Sequence, residues 1–151
     1  MEVISMNINL SIDIQRSPET VFSWIDDPEK ARMWQTGVTT GEILLETPHR
    51  IGTRFREVIL EEGGQLEMEG EITGYEAGRS ISMHLESRLH TVDVSHVVEA
   101  LPGAARYTQD ASIRWKFPVN VMIFLQGKKL RDKIISQSRG ELEKLKLLCE
   151  G

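Results

Sequence analysis

His96 lies between Val94 and Val98 in a stretch where apolar and polar residues alternate, so its imidazole shares their face. A hairpin centred on Pro102-Gly103 sets Gln109 opposite it, with Tyr107 two residues further along on the same face. An imidazole, an amide and a phenol grouped this way can hydrogen-bond a ligand carbonyl or hydroxyl. The imidazole also titrates near neutrality and is a candidate acid/base. The competing reading is that His96, Gln109 and Tyr107 satisfy one another in a polar niche of the core. Glu57 is the second candidate. It falls between Phe55 and Ile59 on the inward face, and the expected register puts it opposite Gly70, whose missing side chain leaves room. A carboxylate there needs a partner or a raised pKa, and Lys133 or Arg139 near the C-terminus are the expected ion-pair partners.

These two candidates do not form one acid/base pair. Three strands separate them, about 14 Å, and they are offset along the strands by about 13 Å more. Asp110 and Ser112 are near His96 in sequence but fall on the opposite face, which excludes a nucleophilic triad. Of the four histidines, His49 is in a loop and His84 points outward. His90 and His96 are six residues apart, with no cysteine or carboxylate between them on their face. That pattern predicts no metal site, and no glycine-rich nucleotide motif is present, so no cofactor is expected.

The elements that must position these side chains are readable from period and punctuation. Asn7 to Ile14 alternates strictly and predicts a first strand. Ser17-Pro18-Glu19-Thr20 is an N-cap with proline at the first helical position, and Asp27-Pro28-Glu29 opens a second short helix carrying Met33 and Trp34. From Val38 to Phe117 the period is two, broken at Gly63-Gly64, Ala77-Gly78, Arg88-Leu89 and Pro102-Gly103. Centring each turn there makes Ile59 face Met68, Phe55 face Ile72, Ile72 face Met83, Met83 face Val94, and Val94 face Ala111. Every step stays on one apolar face. After Pro118, Leu130, Ile134, Leu142, Leu145 and Cys149 recur at roughly helical spacing, predicting a helix of about 45 Å from Val119 to Cys149. The fold class is α+β: a seven-stranded antiparallel sheet, two short helices between strands 1 and 2, and one long C-terminal helix.

The 151 residues fit one domain, 1–151. A net charge of −5 supplies no strong positive field for nucleic acid, and the basic residues Lys128, Lys129, Arg131 and Lys133 read as a solvated helix face. The lone Cys149 permits no disulfide within the chain, which suits a reducing compartment. Met1 to Leu10 lacks the pattern of a signal peptide, and the apolar run Val121 to Leu125 is too short for stable membrane insertion. The expected location is the cytoplasm. Trp24 and Trp34, taken with Val121–Leu125, are expected either to plug one end of the structure or to form an apolar lid. The run itself is also a candidate dimer contact, leaving monomer and homodimer both open.

Strand, two short helices, six-stranded meander and long helix resemble the SRPBCC superfamily, also called START-like or Bet v 1-like. The local match is to its polyketide cyclase/dehydrase-like group. It rests on Ser17-Pro18-Glu19-Thr20-Val21-Phe22, Asp27-Pro28 and Trp34, on Ile51-Gly52-Thr53-Arg54-Phe55, and on Gly70 to Glu76 with Gly78-Arg79. The resemblance implies a helix-grip fold, in which the curved sheet wraps the long helix and leaves a pocket between them. Gly70, Gly74, Ala111, Gly127 and Ser138 lack bulk and would widen that space, and several methionines offer adaptable walls. The expected function is binding of a small hydrophobic molecule: a lipid, polyketide or aromatic metabolite. Phe55, Ile59, Met68, Ile72, Met83, Val94 and Ile113 would supply walls, His96, Gln109 and Tyr107 polar anchors, and Glu57 and Trp34 further contacts. Two other readings stand beside it: a cyclase/dehydrase-like enzyme with His96 as acid/base, and an accessory or stress-response interaction module using Val121–Leu125.

Overall fold

Apolar side chains alternate along β1 (Ser5–Ile14), and Met6, Ile8, Leu10 and Ile14 are buried while the residues between them, Ile12 apart, face solvent. Ser17 caps α1 (Pro18–Asp26), its Oγ accepting from the Thr20 amide at 3.2 Å. Asp27 caps α2 (Pro28–Trp34) in the same way, Oδ1 accepting from Glu29 at 2.9 Å. Both helices carry proline in the first turn, where its missing N–H costs nothing. The computed structural model describes residues 5–61 and 64–151. The meander follows as β2 (Val38–Leu45), β3 (Arg54–Glu61), β4 (Gly64–Glu76), β5 (Ser80–Glu86), β6 (His90–Leu101) and β7 (Ala104–Trp115). The chain ends in α3 (Val119–Glu150).

The strands form one antiparallel sheet in the order β1-β7-β6-β5-β4-β3-β2, so β1 returns to pair with β7 and leaves β2 as the far edge. Two of the four expected turn centres hold throughout, and the Ala77-Gly78 centre holds as far as a bulge between Ile72 and Gly74, beyond which the pairing centres on Gly78. Ile72 pairs with Met83, Met83 with Val94, and both Val94–Ala111 and His96–Gln109 stand opposite. Gly78 and Gly103 take the positive φ their tight turns require (75° and 69°). The β3–β4 register differs from expectation. Phe55 pairs with Gly70, Glu57 with Met68 and Ile59 with Leu66, and the pairing closes at Glu61 opposite Gly64. The turn therefore centres one residue earlier than Gly63-Gly64, and Gly63 itself lies outside the described residues, as do Met1 to Ile4 of the segment read for a signal peptide.

The core is densest where α1, α2 and the C-terminal half of α3 meet β1, β6 and β7. Ile14, Val21, Ala105, Tyr107 and Leu145 are wholly buried there. α3 runs beside β1, in the same direction, and is pinned along it. Arg131 Nη1 donates to the Asn7 carbonyl (2.9 Å), Lys146 Nζ to the Asp13 carbonyl (2.8 Å), and the Gln15 amide to Glu150 Oε2 (2.8 Å). The helix extends to Glu150, one residue beyond the expected end, and its backbone breaks at Gln126 (φ −125°, ψ 18°). Among the described residues no helix is long and apolar enough to cross a membrane.

Candidate functional site

The inner face of the sheet changes character along its width. Under α1 and α2, Ile72, Ile81, Val98 and Tyr107 are buried; towards the middle and the β2 side, Phe55, Glu57, Ile59, Met83, Leu85, Val92 and Val94 point inward yet remain only half-buried. Side chains that parity turns inward but packing covers only in part leave room for a hollow beside the core, against which Phe55, Met83 and Val92 pack. α3 lies along β1 and touches β7 slightly, so it roofs one side of that hollow and leaves the β2 edge open. Of the expected wall residues, Phe55, Ile59, Met83 and Val94 are half-buried on this face. Met68, Ile72 and Ile113 are buried within the wall itself.

His96 sits at the closed end. It is 4% exposed, and its Nδ1 pairs not with Gln109 but with the hydroxyl of Tyr107 at 2.6 Å. The two rings lie nearly parallel, 5.8 Å apart, because Tyr107 is diagonal to His96 across the β6–β7 ladder. Trp34 closes the niche edge-on to both rings, at 6.5 Å and 5.9 Å, and its own Nε1 donates to the Trp24 carbonyl at 2.9 Å. Burial depresses the imidazole pKa to about 4, so the ring is neutral at physiological pH. Burial, with Glu141 nearby, holds the Tyr107 hydroxyl well above its usual value. Gln109 stands opposite His96, half-buried, and its side chain makes no hydrogen bond among the described residues.

Trp34 is thus a plug of the closed end, 1% exposed. It does not join Val121–Leu125 in one cluster. α2 meets α3 where the Thr36 amide donates to Glu141, about 27 Å along the helix from residue 123. Val121, Met122, Phe124 and Leu125 are exposed at the other end, Phe124 and Leu125 by 76% and 77%. Glu141, which sequence reasoning missed, occupies the same helical stripe as Ser138, Leu142 and Leu145; a carboxylate on a buried stripe was the available signal. Burial raises its pKa, and the Thr36 amide opposes the rise.

Glu57 faces the hollow but not Gly70. That glycine is covered by the ring of Phe55 and by Leu85, whose Cδ2 is 2.7 Å from where a Cβ would be, so it contributes no open space. Glu57 stands between Gly41 of β2 and Met68 of β4. Burial raises its pKa, opposed by the charge of Arg32 on α2 rather than by Lys133 or Arg139. Arg32 also escaped the sequence reading; the glycine inside strand β2 was its trace, since such a glycine often marks a close approach. Among the described residues no group of His, Cys, Asp and Glu side chains could hold a metal ion.

Solved structures share this architecture at low sequence identity. A START superfamily protein from Mycobacterium smegmatis matches with TM-score 0.78 and 15% identity, over 95% of this chain and 97% of that one. A Thermus thermophilus protein matches with TM-score 0.69 and 17% identity, over 93% and 97%. A Rhizobium loti protein matches with TM-score 0.67 and 15% identity, over 97% and 99%. No curated protein matches the chain. The family model described as polyketide cyclase / dehydrase and lipid transport matches residues 5–150. A match over essentially the whole length, joined to the helix-grip architecture, makes the chain a member of that family.

Proposed function

We propose that this protein binds a small, largely apolar molecule in the hollow between the sheet and α3, and carries it rather than transforming it. One observation supports this above the rest: Phe55, Ile59, Met83, Leu85, Val92 and Val94 face inward and stay half-buried, while the same face beneath α1 and α2 is packed shut. Apolar surface left uncovered in this way gains roughly 25 cal/mol per Å² when a ligand removes it from water. The carrier reading is favoured over the enzyme reading by the state of His96. Its Nδ1 is engaged by Tyr107, its ring is sealed by Trp34, and burial keeps it neutral. His96 and Tyr107 then serve as the rigid floor of the site. We place the protein in the cytoplasm as one domain, where the buried, unpaired Cys149 is at home.

Native mass spectrometry of the protein purified from its own host tests the proposal. A co-purifying neutral or amphipathic molecule of a few hundred daltons (a rough span set by such pockets) is the expected result. Replacing Val94 and Met83 by aspartate should abolish its retention. Bare protein that also fails to take up added apolar probes would sink the idea.

A further inference from the structure

Gly41 and Glu57 are direct partners in the β2–β3 ladder, so a side chain at position 41 would stand beside that of Glu57 on the inner face. Instead that space holds the guanidinium of Arg32, reaching over from α2. A Cβ on Gly41 would lie 2.5 Å from Arg32 Nη1 and 3.7 Å from its Cζ. The bare backbone of Gly41 is thus a seat that any other residue would fill. Arg32 and Glu57 are neighbours, yet they form no direct ion pair, and Glu57 has no hydrogen-bond partner among the described residues. Half-buried ionisable groups normally close on a partner. Here a donor-only guanidinium and a carboxyl stand side by side at the open β2 rim, next to the apolar wall of Phe55, Ile59 and Met68.

We propose that the Arg32–Gly41–Glu57 seat receives the polar head of the ligand and selects an uncharged head that both donates and accepts, such as an alcohol, phenol or amide. The inference rests on the hollow being a binding site. A hydroxyl donates to the carboxyl and accepts from the guanidinium at once. A ligand carboxylate gains Arg32 but confronts Glu57, and an ammonium meets the reverse conflict. The neutral head therefore lies at the rim while the apolar body extends along the half-buried wall towards the His96–Tyr107 floor.

Competition against N-phenyl-1-naphthylamine, an uncharged fluorescent probe of apolar cavities, tests the seat separately from the hollow. At neutral pH, 1-decanol should displace the probe at about tenfold lower concentration than decanoate or decylammonium, the penalty of placing a full charge beside a like one. Glu57→Gln should bring decanoate level with decanol. Arg32→Gln should do so for decylammonium, and Gly41→Val, which fills the seat on an exposed edge strand, should behave like Arg32→Gln. Probe affinity is measured for each variant alongside, so that a damaged hollow is told apart from a changed preference among the heads. Probe binding with no preference among the heads, or with an order the variants leave untouched, overturns the seat and leaves the hollow standing. A wild-type protein that does not bind the probe overturns both.

Discussion

The His96–Tyr107 pair shows how much one buried contact can shape the whole titration. An imidazole held near pKa 4 instead of 6.5 is protonated in the unfolded chain long before it is protonated in the native one. As pH falls, protons are taken up preferentially by the unfolded state. The native advantage is thus complete above pH 6.5 and lost progressively towards pH 4, by about 3 kcal/mol from this residue. Glu57 and Glu141 act in the opposite sense. Burial raises their pKa, so their contribution is present at low pH and disappears as pH rises through the shifted values. The His96 effect is therefore isolated by difference, using His96→Gln, which still offers Tyr107 a hydrogen-bonding partner. Urea unfolding should show the wild type losing about 3 kcal/mol more than the variant between neutral pH and pH 4. Parallel pH profiles would mean that the imidazole reaches solvent and that the niche is open.

At the scale of elements, the Phe55–Gly70 pair fixes how β3 lies on β4. A methyl group at position 70 collides with the Phe55 ring and with Leu85, so Gly70→Ala should cost about 1 to 2 kcal/mol in urea unfolding. Phe55→Leu in the same background should recover part of that loss, a coupling of about 0.5 kcal/mol or more. Additive losses would place the ring elsewhere. The same pair explains what was and was not legible in the sequence. Adjacent glycines at 63 and 64 leave the turn centre ambiguous by one residue, and moving the centre by one shifts each pairing by two. A shift of two keeps every side chain on its face. The inward set Phe55, Glu57, Ile59, Met68 was therefore readable while the partners of Glu57 were not. The turns at Arg88-Leu89 and Pro102-Gly103 carried less ambiguity, and their registers were readable pair by pair; the bulge between Ile72 and Gly74, which re-registers the end of the β4–β5 hairpin, was not. Arg32 was hidden for a different reason: what brings α2 across the bare backbone of Gly41 is tertiary packing, which no local period records.

The molecule as a whole grips its long helix at one end. Leu142, Leu145 and Cys149 are buried against β1, α1 and α2, and Lys146 and Glu150 tie the last turns to the end of β1. Beyond the Gln126 break, the opening turns present Val121, Met122, Phe124 and Leu125 to solvent. The helical stripe was visible in the sequence, but its division into a packed and an unpacked half depends on where β1 stops supporting it. Stability should divide the same way. Leu145→Ala removes a wholly buried side chain and should cost about 2 to 5 kcal/mol. Phe124→Ala, at a side chain 76% exposed, should shift stability by no more than about 0.5 kcal/mol. Backbone protection should follow packing, because a helix turn with few buried contacts opens at little free-energy cost. Hydrogen exchange read by mass spectrometry should show amides 119–130 exchanging well before amides 141–149. An apolar ligand seated in the hollow should slow the first group more than the second, since the second is already packed through Leu142, Leu145 and Cys149. Uniform protection along α3, with or without ligand, would mean that the helix is held along its full length and that the roof of the hollow does not yield to admit a guest.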